Sequence, residues 1–180
     1  MTHWLLVAAA IVLALAALQD IASLRIANLF PVLMVALYIV WVALVGWNGS
    51  LWLNAASFLA MLGAGIVMFG RGWLGGGDVK LLAATALWFP LTGLPALIAY
   101  VTMVGGLMTL VLIALRRLVM SGSGDQIRNP VLKPKGPIPY GVAIAIGAIA
   151  CLFLYGPNPD GVAREPAFLH AASSPLGQGR

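Results

Sequence analysis

The chain has 180 residues, 62% of them hydrophobic and 8% charged, and a mean hydropathy of +1.01. That excludes an ordinary soluble domain, and no run shows the alternation, over about 10 residues, of an outer-membrane barrel strand. The net charge of +5 comes from Lys and Arg at the ends of apolar runs and in one loop, a pattern that fits topology and lipid contact and argues against a nucleic-acid partner.

Crossing roughly 30 Å of hydrocarbon takes about 20 apolar residues. Runs near that length lie at 4–19, 30–47, 51–69, 93–115 and 138–155. The first contains Ala14-Leu15-Ala16, which looks like a signal cleavage site, but Met1-Thr2-His3-Trp4 offers no basic start and the first basic residue is Arg25. It is read as a retained span. Between the third and fifth spans lies 79–90, which is short and needs 91–94 or a locally thinned bilayer to cross.

Charge decides that question. Arg25, Arg71, Lys80, Arg116, Arg117, Arg128, Lys133 and Lys135 share one side if 79–90 crosses, whereas the loops at 48–50 and 89–93 carry no Lys or Arg. Short basic loops stay in the cytosol. The expectation is an all-α membrane bundle of about six helices with both termini extracytoplasmic, a membrane domain over 1–156 and a cytosolic loop at 116–137. Residues 157–180 read as a disordered extracytoplasmic tail.

Trp41, Trp47, Trp52 and Trp88 fall near span ends, as an interfacial belt would place them. Gly63, Gly65, Gly105, Gly106 and the Gly141-xxx-Ala145 spacing suit close helix packing. Cys151 sits alone in an apolar run, so neither an intrachain disulfide nor a cysteine-built zinc site can form.

The expected topology brings two acids to one depth. Asp20 ends an inward-running helix, Asp78 begins an outward-running one, and the other acids, Asp125, Asp160 and Glu165, lie in polar loop or tail. Asp78 follows Gly75-Gly76-Gly77, whose missing Cβ atoms permit close backbone approach and positive φ angles. Glycine-rich turns also precede ordinary helices, where Asp serves as a cap. An acid at the membrane edge is nevertheless costly unless it faces water or protein, which points to a functional pair.

Two carboxyl groups sharing a site cannot both ionise cheaply, so one keeps its proton and polarises a carbonyl while the other takes a proton from water. Peptide hydrolysis by such a pair needs no metal, cofactor or covalent intermediate. No His, Cys or acid cluster offers metal-ligand spacing, since His3 and His170 lie near the two ends of the chain.

Asp20 with Arg25-Ile26-Ala27-Asn28, then Gly75-Gly76-Gly77-Asp78-Val79-Lys80, then Lys135-Gly136-Pro137-Ile138-Pro139-Tyr140-Gly141 together resemble the type IV prepilin peptidases, in particular their short Tad/Flp-pilus branch. The resemblance implies catalytic Asp20 and Asp78, with Gly75, Gly77 and Lys80 as supporting motif positions. It also implies a prepilin substrate, a multi-pass protein of the bacterial inner membrane, and association with pilus-assembly or secretion machinery. Where the family usually has Ile-Pro-Asn, this chain has Ile26-Ala27-Asn28, which predicts a less rigid first loop. The paired cysteines of the longer, methylating members are absent.

Two other classes fit two acids in a membrane. A proton-coupled carrier would use them as ion sites, and a non-catalytic secretion-machine subunit would use them structurally. Presenilin-type proteases also carry a Gly-x-Gly-Asp block, but Pro95-Ala96-Leu97 stands where it opens the fifth span, not a late one.

Overall fold

The computed structural model describes residues 3–46, 51–122 and 139–155, with side chains described up to residue 117 in the fifth helix. The described chain is helical: α1 (His3–Ser23), α2 (Leu29–Val45), α3 (Leu51–Gly70), α4 (Gly76–Ala86), a short 3-10 turn (Leu91–Gly93), α5 (Leu94–Gly122) and α6 (Tyr140–Tyr155). Prolines punctuate the helix starts. Pro31 lies in the first turn of α2, Pro95 in that of α5, and Pro139 just before α6, where a missing N–H costs no helical hydrogen bond.

Three segments are long and apolar enough to cross a membrane: His3–Ser23, Leu51–Gly70 and Leu91–Arg117. α2 and α6 are apolar but shorter, at 17 and 16 residues, and α4 has only 11. Apolar side chains also cover much of the outside. On α1, Trp4, Val7, Ile11, Leu15, Leu18 and Ile21 are exposed, while Leu5, Ala9, Leu13, Ala16, Ala17 and Asp20 form the buried stripe. Hydrophobic surface on both faces suits a helix between protein and lipid.

Close contacts set the helix directions. Asn54 Nδ2 donates to the Leu87 carbonyl at 3.1 Å, and Gly65 packs on Val79, so α3 and α4 run antiparallel. Lys80 reaches Asn28 and Trp88 Nε1 reaches the Met34 carbonyl, so α2 and α4 run parallel. Gly147 lies against Val101 and Gly105 against Ala143, making α5 and α6 antiparallel. α1 packs on α6 and α2, and its C-terminal end meets the N-terminal end of α6 through Asp20 and Gly141.

The alternation puts the α1–α2 loop and the starts of α4 and α6 at one end. α4, though short, is among the most enclosed elements: Val79, Leu81, Ala83, Ala84, Thr85 and Ala86 are buried, and Trp88 and Phe89 continue the core beyond it. Its far end reaches the level of Asn54, near the opposite end of α3. Pro95-Ala96-Leu97 opens α5 at that far end, with Leu97 fully buried.

Several expectations are corrected. Trp41 and Trp88 are 2% and 1% exposed and pack around Tyr38, with ring centroids 5.8 and 5.7 Å away, so they are core residues, not an interfacial belt. Trp52 is exposed, whereas Trp47 lies outside the described residues. Gly65 and Gly105 do sit against neighbouring side chains, but Gly63 and Gly106 face open space. The loop expected from 116 begins later, because α5 continues through Arg116 and Arg117 to Gly122. The remainder of that loop, 123–137, and the tail at 157–180 lie outside the described residues.

Candidate active site

The buried stripe of α1 runs at helical spacing and ends on Asp20, which is 5% exposed. That register turns the carboxylate toward the protein. Gly141 N–H, at the start of α6, donates to Asp20 Oδ2 at 2.8 Å. Amides at a helix N-terminus have no intrahelical partner and carry partial positive charge, so an acid from another helix fits there.

Asp78 is seated differently. Gly75 precedes α4 as its N-cap, and Gly75 N–H donates to Asp78 Oδ2 at 3.2 Å, three residues along. Asp78 is half-buried, and among the described residues its Oδ1 has no hydrogen-bond partner. It therefore does cap α4, as an ordinary helix-starting Asp would, yet keeps one oxygen available.

The glycine block is not a flexible turn: Gly76, Gly77 and Asp78 already belong to α4, and Gly75 has a φ of −73°. Positive φ is not what these positions require. A methyl group on Gly75 would come within 2.7 Å of Asp78 Oδ2, and one on Gly77 within 3.0 Å of both Cβ and the carbonyl oxygen of Ile26. Close approach explains both glycines.

Ile26 connects the two seats. The same side chain that abuts Gly77 lies where a methyl on Gly141 would meet its Cδ1 at 2.7 Å, and that methyl would also reach Asp20 Oδ2 at 2.8 Å. α4 packs against α6, and the carboxyl groups of Asp20 and Asp78 are close enough to interact electrostatically. The structure thus brings both expected acids to one end of the bundle.

The α1–α2 loop that carries Ile26 is well tied. Ala27 N–H donates to Gln19 Oε1 at 3.0 Å, Leu24 N–H to the Asp20 carbonyl at 2.8 Å, and Ser23 Oγ to the carbonyls of Gln19 and Arg25 at 2.9 and 3.1 Å. Leu24 takes a φ of 53° to close α1, a left-handed conformation that usually falls to glycine. A proline at position 27 could not make the Ala27 bond. Alanine thus gives this loop a donor that proline lacks, a tie that works against the added backbone freedom.

Lys80 Nζ donates to Asn28 Oδ1 at 2.9 Å, joining α4 to the start of α2. Its ammonium positions α4 beside the loop. Sequence reasoning passed over Gly141, Ile26, Asn28 and Gln19 as site residues. Gly141, Ile26 and Asn28 lay inside family-like motifs, the first assigned to helix packing and the other two only to loop rigidity, and no local pattern marks Gln19. Among the described residues no group of His, Cys, Asp and Glu could hold a metal ion.

The structure places the two acids at one end of the bundle, each on its own amide seat. Residues 7–110, more than half of the chain and including Asp20, Gly75, Gly77, Asp78 and Lys80, match the type IV leader peptidase family. The chain belongs to that family. No curated protein and no solved structure matches it. Membership in this leader peptidase family makes the chain a protease, and its apolar helices make it a membrane protein.

Proposed function

We propose that this leader peptidase is an aspartic endopeptidase that removes the leader of Flp-type prepilins at the cytosolic face of the bacterial inner membrane. The observation that carries the reading is the convergence of Asp20 and Asp78 at one end of the bundle, each with a carboxylate oxygen on a helix-start amide.

In this reading the pair shares one proton. The ionised carboxyl group takes a proton from water as the water attacks the scissile carbonyl carbon, and the protonated one hydrogen-bonds the carbonyl oxygen. Collapse of the tetrahedral intermediate returns a proton to the departing amine. The half-buried Asp78 meets the substrate, and the buried Asp20 is held by α6. All six helices cross the membrane, with α4 crossing inside a protein shell that shields its short length, and the acid-bearing end faces the cytosol beside Arg25, Arg71 and Lys80. A pilin precursor with its leader on that side presents the bond at the depth of the acids.

The test is the gel shift of a co-expressed prepilin. Asp20→Asn and Asp78→Asn each abolish cleavage while the protein still inserts in the membrane, and Asp→Glu at either place leaves little activity because one methylene misplaces the carboxyl group. Processing that survives Asp78→Asn would bring the carrier or structural-subunit reading forward.

A further inference from the structure

An apolar groove of about 710 Å³ lies between α3, α4, α5 and α6. Resting on the peptidase reading above, we infer that this groove seats the apolar membrane helix of the substrate, the segment that follows the scissile bond.

Continuity with the acids carries the inference. Leu74 and Tyr140 line the groove, and they immediately precede Gly75 and Gly141, the two glycines whose amides hold Asp78 and Asp20. A helix lying in the groove therefore ends beside both carboxyl groups. From there the lining continues along α5 from Leu110 to Ile98, about 18 Å at 1.5 Å per residue, or roughly three turns of an occupant.

The helix arrangement leaves room for it. α5 packs chiefly on α6 and on the 3-10 turn at the far end, and that turn is also where α3 comes near. The side of α5 facing α3 is left open along the groove, so a helix already in the bilayer can enter sideways. Gly106 lines this side, is exposed and would meet nothing within 4 Å if it bore a side chain, so the backbone of an entering helix can come close. Thr102 Oγ1 is bonded to carbonyls of its own helix, which leaves the wall apolar. An apolar helix in an apolar groove is a recurrent mode of recognition.

The test combines an adduct and a rate. In an Asp78→Asn, Cys151→Ala background, a precursor with a cysteine one turn past the scissile bond forms a disulfide with Leu110→Cys. A cysteine about two turns further along pairs with Thr102→Cys instead. Leu59→Cys, exposed on α3 but outside the groove, forms neither. In the active protein Gly106→Leu, whose Cβ enters open space, fills part of the groove and slows processing about tenfold or more. Gly63→Leu, equally open but away from the groove, does not. Equal adducts at Leu59→Cys, a phospholipid retained in the groove with no precursor adduct, or equal rates for the two glycine variants would overturn the inference. Adducts form without catalysis, so processing that survives Asp78→Asn removes the peptidase reading separately.

Discussion

Asp20 and Asp78 accept the same kind of hydrogen bond, from a backbone amide at a helix start, but over different distances along the chain. Asp78 finds its donor three residues away, within the segment that forms α4. Asp20 finds its donor 121 residues away, on a helix that must first pack against α1. The Asp78 seat is thus a local structure that forms with its own helix, half-exposed and with one oxygen unpartnered among the described residues. The Asp20 seat is tertiary and buried, and exists only once α1, α6 and Ile26 are together. An active site assembled this way joins one acid that local sequence can place to another that only the completed bundle can.

The largest way to break the comparison is at Gly141. In Gly141→Ala the added methyl would lie 2.8 Å from Asp20 Oδ2 and 2.7 Å from Ile26 Cδ1, so Asp20 and the wedge beside it must both move. Displacement of a reacting group by about 1 Å can cost about 100-fold, and a loss of that order in prepilin processing is expected. The measurement is the initial rate of leader removal with protein of unchanged membrane content.

Gly75→Ala is expected to act more mildly. Its methyl would approach Asp78 Oδ2 to 2.7 Å, but Asp78 is half-exposed, and its 3.2 Å bond to Gly75 is long enough for the side chain to turn away. A loss nearer tenfold is expected, with no change in thermal unfolding in detergent. If Gly75→Ala were more damaging than Gly141→Ala, the contrast between a local and a tertiary seat would be wrong.

Much of this was legible in the sequence, for identifiable reasons. Asp78 stood out because three glycines and a lysine surround it between apolar runs, and Asp20 because the charge pattern of the loops returns it to the same depth. The buried register of Asp20 was not legible, since Leu5, Ala9, Leu13 and Ala16 lead to it at helical spacing but Val7, Ile11, Leu15 and Leu18 keep the same spacing on the exposed side. Nor was what holds Asp20, because a backbone donor leaves no side-chain signature and Gly141 looks like any small residue in an apolar helix. Trp41 and Trp88 were misplaced for a related reason. Position near a span end suggested the interface, but α4 is enclosed by its neighbours and draws both rings into the core.

Smaller effects sharpen the account of the loop that joins the seats. Ala27→Pro removes the bond to Gln19 Oε1 and is expected to cost about 1 kcal/mol of stability, read as a lower unfolding temperature in detergent, with processing reduced a few-fold. An unchanged unfolding temperature would show that the Ala27 donor adds nothing. Lys80→Gln weakens the tie to Asn28. Because Lys80 is exposed, processing within about threefold of the original is expected. Complete loss there would assign the lysine a direct part in the reaction.

The most direct test of the central claim, that the two seats deliver their acids to one place, is a proximity measurement with Asp20→Cys and Asp78→Cys in a Cys151→Ala chain. Gly105→Cys with Ala143→Cys serves as the control pair, since a Cβ at Gly105 lies 3.5 Å from the Ala143 Cβ. The account predicts that a short thiol crosslinker joins positions 20 and 78 in native membranes as it joins the control pair. Crosslinking of the control but not of 20 with 78, by any short reagent, would contradict it.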